Sequence, residues 1–367
     1  MKIECVREKL EGVISKAVKT VSKNPTHPVL SCIYLEAVKG ELIIKATNLD
    51  VGIEITLPVK VIEEGSIAVP GQILHSFLVN ALTEDKIVLE TKELNLHIVG
   101  TNMSTVIKTH PVDEFPVIPQ LTSDQKVTIK ASKFIEGLKS VWYSAAISSM
   151  KPELSSVYVY KKDEKLIFVA TDSFRLAEKK ISAVGVEDDF EGFLIPLKNI
   201  TEIIRVLESE DKNVIILYNE NQIAFKVGGV YIVSRIIDGV FPDYTQIIPQ
   251  EFKTEVTLLK DDLVNTLKVT TIFSDKFNRL SFHIAPSKKE FNLSTKNMDV
   301  GESVGGIKAV VSGEDLDINY NYRNIIDCFG SISADSVTMG FNGAGKPMVI
   351  RGVADESFMY LVMPTNK

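Results

Sequence analysis

The chain has 367 residues, 45% of them apolar and 24% charged, with a formal net charge of −7. That length exceeds one ordinary core and implies two or three domains. The acidic balance excludes a generally basic nucleic-acid binder but leaves room for a local basic surface. No apolar run approaches the roughly 18 residues that cross a membrane. Residues 1–10 alternate charge with apolarity and lack a signal-peptide core, so a cytoplasmic protein with no membrane partner is expected. Cys5, Cys32 and Cys328 are odd in number, widely spaced and free of any CxxC pattern, and read as buried free thiols.

In chain order the elements come as a repeating set. Residues 1–3 form a short strand, followed by a helix over 5–23 in which Val6, Leu10, Val13, Ile14, Ala17 and Val21 keep a helical period. Strands are expected at 33–37, 41–47 and 51–57, a second helix over 70–82 with Pro70 in its first turn, then a hairpin at 87–90 and 94–99. The set recurs with a strand at 127–132, a helix over 133–148, strands at 157–160, 166–170 and 175–181, a helix over 196–208, and strands at 214–218, 223–227 and 231–237. A third set follows: a strand at 256–260, a helix over 261–273, strands at 279–284, 290–294 and 306–311, a helix over 321–331, and strands at 337–341, 348–352 and 358–363.

Motif spacing supports three copies. Thr47, Thr171 and Thr295 stand 124 residues apart in related stretches, the central one reading Phe168-Val169-Ala170-Thr171-Asp172-Ser173-Phe174-Arg175-Leu176-Ala177. Each copy closes on a proline: Pro116, Pro242 and Pro364. A period this long makes each copy a domain, not a solenoid unit. The fold class is therefore α+β, with three similar domains of two helices packed on antiparallel sheets. Their bounds are 1–120, 125–247 and 250–367, with linkers near 118–124 and 247–252.

The net charge hides an asymmetry. The six expected helices, with flanking Lys151 and Lys260, carry about +6 inside a chain of −7, leaving acidic strands and loops. Lys9, Lys16 and Lys23 are seven apart and share one side of the first helix. Over three copies this reads as a cationic surface that attracts phosphates without reading sequence.

No convincing catalytic site emerges. His27, His75, His97, His110 and His283 are scattered, with no metal-binding spacing, so no metal or cofactor is expected. Gly340-Phe341-Asn342-Gly343-Ala344-Gly345-Lys346 matches a phosphate-cradling loop until Pro347 replaces the magnesium-binding Ser or Thr, and a turn between strands is the better reading. Asp172 and Arg175 have no activated nucleophile or base beside them, which favours a structural and binding role. An enzyme centred on these residues, or an interaction scaffold without DNA, are the competing readings.

The sequence resembles the bacterial DNA polymerase III β subunit, the processivity sliding clamp. The resemblance is carried by residues 170–177, by Asp238-Gly239-Val240-Phe241-Pro242-Asp243-Tyr244 and by Leu361-Val362-Met363-Pro364, supported by Pro25-Thr26-His27-Pro28-Val29-Leu30 and Ile195-Pro196-Leu197-Lys198. It covers the whole chain. It implies the DNA clamp fold in a head-to-tail dimeric ring around duplex DNA, without catalytic activity of its own. Its partners would be double-stranded DNA bound independently of sequence, the polymerase III α subunit, the clamp loader and other proteins with clamp-binding motifs.

The resemblance also implies site residues. A partner-peptide pocket would comprise Leu154, Thr171, Ser173, Phe174, Arg175, Leu176, Pro242, Ile247, Val362, Met363 and Pro364. DNA would face Lys9, Lys16, Lys23, Asn24, Ser149, Lys151 and Lys198. The dimer contact would pair Thr105 and Ile107 with Ile272 and Phe273. The chain departs from the family pattern where Ser173-Phe174 replaces the frequent Gly-His, and where Asn24 replaces a basic residue. Serine lacks glycine's conformational freedom, and phenylalanine enlarges the apolar wall.

Overall fold

A computed structural model describes residues 1–22, 27–123, 125–148, 150–183 and 192–365. These fall into two compact units. The first takes in residues 1–135 and 198–238. The second takes in 136–183, 192–197 and 239–365, so the middle copy contributes to both.

Six α-helices occur among the described residues: α1 Arg7–Ala17, α2 Gly71–Asn80, α3 Ala131–Val141, α4 Leu197–Leu207, α5 Lys260–Thr270 and α6 Tyr322–Ile326. Each is shorter than its apolar period predicts. After α1, the Lys19 and Thr20 amides bond to the Lys16 and Ala17 carbonyls, the tightened i−3 pattern that ends a helix. Leu10, Ile14 and Ala17 form its buried stripe. A 3₁₀ turn continues α3, α5 and α6, at Trp142–Ser144, Thr271–Phe273 and Asp327–Ser331.

All paired strands are antiparallel. The first unit holds a five-stranded and an eight-stranded sheet. In the larger, Val51–Pro58 of the first copy pairs with Val230–Arg235 of the second, Ile53 opposite Ile232. The second unit holds a nine-stranded and a four-stranded sheet. In the larger, Arg175–Ser182 pairs with Phe358–Val362, joining second and third copies in the same way. Ile53 and Ile232 are fully buried, and each such side chain contributes roughly 1.5–3 kcal/mol.

The expected strands are largely present, with one correction. The expected strand over 306–311 is two strands, Gly301–Gly306 and Ala309–Gly313. The chain turns a corner between them: the first pairs with Glu290–Asn297 in the four-stranded sheet, the second with Thr254–Leu259 in the nine-stranded one. Lys60–Glu63, Gly65–Pro70, Ser104–Lys108, Phe193–Pro196 and Leu316–Asn321 are further strands that weak apolar alternation left unannounced.

The threonine turn is shared by two copies. Thr47 Oγ1 donates to the Val51 carbonyl and Thr171 Oγ1 to the Arg175 carbonyl. Thr295 Oγ1 instead donates to the Thr270 carbonyl, and its strand runs on to Asn297.

Candidate partner-binding site and nucleic-acid surface

The candidate partner site is built on the turn at 171–175. Asp172 Oδ1 accepts from the amides of Phe174 at 2.9 Å and Arg175 at 3.0 Å, and Thr171 Oγ1 accepts from the Ser173 amide. This is the Asx-type closure that Asp predicts. Ser173 takes a φ of 78°, the left-handed region that favours glycine. The turn leaves Phe174 64% exposed.

Arg175 is committed to holding the turn. Its guanidinium donates to Asp172 Oδ2 at 3.0 Å, to the Tyr143 carbonyl at 2.7 Å and to Asp327. The polar groups of Thr171 and Arg175 are thus engaged within the turn, while Phe174 is its exposed apolar side chain. Burial pushes the phenols of Tyr143 and Tyr360 above their ordinary value, so neither acts as a base near neutral pH.

The chain's end lies alongside. Arg175 pairs with Val362, and the Met363 amide donates to the Phe174 carbonyl at 2.8 Å. Leu154, Leu176 and Val362 are buried; Met363 and Pro364 are half-buried. Tyr160 donates to Tyr244, whose hydroxyl in turn donates to Glu178 on the Arg175 strand. That chain of bonds ties the segment bearing Pro242 and Ile247, both exposed, to the same sheet.

The expected DNA-facing residues divide. Lys9 on α1 and Lys151 are exposed. Lys16 bonds to Glu210 at 2.6 Å and Lys198 to Asp50 at 2.7 Å, so half of the described cations are internally paired. Lys23, Asn24 and Ser149 lie outside the described residues.

The expected dimer residues also divide. Ile107 is buried in its own unit and Thr105 is half-buried, while their strand, Ser104–Lys108, is the edge of the five-stranded sheet. Its exposed apolar residue is Val106, next to exposed Ile73 across a cavity of about 550 Å³. In the second unit Ile272 is 70% exposed and Phe273 half-buried. The neighbouring edge strand Gly301–Gly306 presents Val304. Val106, Ile73 and Val304 were not singled out in the sequence, because isolated exposed apolar residues carry no signature there.

Gly340 and Lys346 flank a hairpin turn between Ser336–Phe341 and Met348–Gly352, with Gly343 and Gly345 at positive φ, not a helix N-terminus. No cluster of three potential metal ligands occurs among the described residues, and no described helix is long and apolar enough to cross a membrane.

Repeated helix-and-sheet copies, joined through shared sheets and ending beside an exposed apolar turn, define a protein of the DNA clamp fold. The family description "DNA polymerase III beta subunit, N-terminal domain" matches residues 1–119, the central domain of that family matches 128–243, and its C-terminal domain matches 245–366. The chain belongs to this family, the sliding clamps of DNA replication. It is similar to the beta sliding clamps of Synechococcus elongatus, 25% identical over 99% of both chains, and Staphylococcus epidermidis, 24% identical over 99% of both. The solved DNA polymerase III beta subunit of Thermotoga maritima is 27% identical, with a TM-score of 0.93 over 100% of this chain and 99% of that one.

Proposed function

We propose that two copies of this chain close head to tail into a ring around duplex DNA, and that the ring tethers the replicative polymerase without catalysing a reaction. The observation that carries this reading is the match of three consecutive family domains along the whole chain. The three copies, 1–120, 125–247 and 250–367, would be the ring's domains. Each unit has edge strands open to a partner, among them Ser104–Lys108 in the first and Gly301–Gly306 in the second. Edges with free backbone groups invite pairing with another chain, and a head-to-tail contact that closes yields a ring. Exposed Ile272, Val304 and Val106 supply the apolar part of the contact.

Inside such a ring, Lys9, Lys16, Lys151 and Lys198 would meet phosphates without reading bases. The surface of Phe174, Met363, Pro364, Pro242 and Ile247 would take short apolar-acidic peptides from the polymerase α subunit, the clamp loader and other partners. Phe174 makes that wall more apolar than the histidine frequent at its position in the family. Sedimentation of the wild type and of Ile272→Asp tests the assembly. The ring reading requires a dimer that the substitution, on an exposed side chain, converts to monomer; a wild-type monomer at all concentrations contradicts it.

A further inference from the structure

We infer that the first unit carries a second cleft for a short apolar peptide bearing a carboxylate, at the junction of the first and second copies. The inference rests on reading the Phe174 surface as a peptide pocket, because the two places are built alike. Leu30, Thr47, Leu49 and Asp50 stand 124 residues before Leu154, Thr171, Ser173 and Phe174. The bonds repeat as well. The Ser22 amide donates to the Leu30 carbonyl as Ala146 does to Leu154, and the Arg235 amide donates to the Asp50 carbonyl as Met363 does to Phe174. Asn48 Oδ1 closes the turn as Asp172 does, and Leu49 has a φ of 74° where Ser173 has 78°.

The junction is hollow. Two adjoining cavities of about 420 and 350 Å³ share Leu49 and Pro116 in their walls. Leu30 lines one, Val117 and Ile118 the other. Leu49 is 52% and Val117 91% exposed, so the walls offer apolar contact to an incoming chain. Gly52 stands where the other junction has Leu176; a Cβ there would come within 3.1 Å of Ile118, which occupies that space.

Charge selects the occupant of the larger cavity, where Arg235 stands, while Glu114 lines the smaller. Arg235 replaces Met363 at the rim and has no side-chain partner among the described residues, while Lys198 already neutralises Asp50. An unpaired guanidinium beside an apolar trough fits a carboxylate flanked by aliphatic side chains. Bare phosphate would leave Leu49, Val117 and Ile118 unused, which favours a peptide over nucleic acid.

The test is calorimetric titration of the full chain with the synthetic peptide acetyl-Asp-Leu-Asp-Leu-Phe. With both places occupied, two equivalents per chain are expected. Phe174→Asp should remove one, and Arg235→Glu should weaken the other by about tenfold or more, with Arg235→Lys retaining it. One equivalent that ignores Arg235→Glu and vanishes in Phe174→Asp would overturn the second cleft and leave the first pocket standing. One equivalent with the opposite response would leave the second cleft standing without the first pocket. No binding at all would overturn both. If Arg235→Glu instead alters duplex binding or sedimented mass with both peptide equivalents intact, the surface belongs to DNA or to another copy, and the inference fails.

Discussion

Ser173 holds a φ of 78°, where a Cβ crowds the backbone at a cost of about 1–2 kcal/mol. Ser173→Gly should relieve that strain, partly offset by the entropy glycine loses on folding. A net gain of roughly 0.5–1 kcal/mol in urea unfolding is expected, and a loss of at least about 1 kcal/mol for Ser173→Val. The turn itself was legible, because Asp172 and Thr171 are the residues whose side chains close such a loop. The positive φ was signalled only by the glycine frequent at this position in the family, since serine itself carries no mark of it. The commitment of Arg175 was not legible, because its partners Tyr143 and Asp327 are distant in sequence. The cysteines were legible as inert: all three are buried. Burial pushes Cys5 up to about 12 and Cys32 up to about 11, and raises Cys328 as well. Iodoacetamide at pH 8 should modify none in the folded protein and all three after unfolding.

Among elements, one carboxylate braces the turn that leads into the Ser104–Lys108 edge strand. Glu84 accepts from the amides of Thr101 and Asn102 and fixes the turn that leads into the strand. Those backbone N–H groups, Thr101 first, hold its carboxyl below the ordinary 4.5 against the opposing effect of burial. A lowered folded-state pKa gives a contribution that is complete above the unfolded value and disappears as pH falls through the folded one. The turn should therefore stay ordered at pH 5 and loosen only in stronger acid, as amide exchange at Thr101 and Asn102 would report. Glu84→Ala should expose the same amides at neutral pH and weaken self-association. Long strands with clean alternation were readable in the sequence. The short edge strands were not, because their pairing rests on backbone geometry and their side chains alternate weakly. The corner at 306–309 was read as one strand because a change of sheet leaves the local apolar pattern continuous.

For the molecule as a whole, the 124-residue spacing revealed the three copies, but not the sharing of sheets between neighbours, which only long-range pairing can show. The helix charge count likewise missed the ion pairs that occupy Lys16 and Lys198. Lys9→Ala should lower the salt slope of duplex binding by about 0.9, the share of one phosphate contact. Glu210→Ala should strengthen binding by releasing Lys16. Because a closed ring makes retention topological, the decisive measurement is retention on nicked circular DNA after loading by a clamp loader, before and after the circle is cut. The ring predicts stable retention on the circle and rapid loss from the linear product. Equal retention on both would mean that direct contact holds the protein, and would contradict the clamp mechanism.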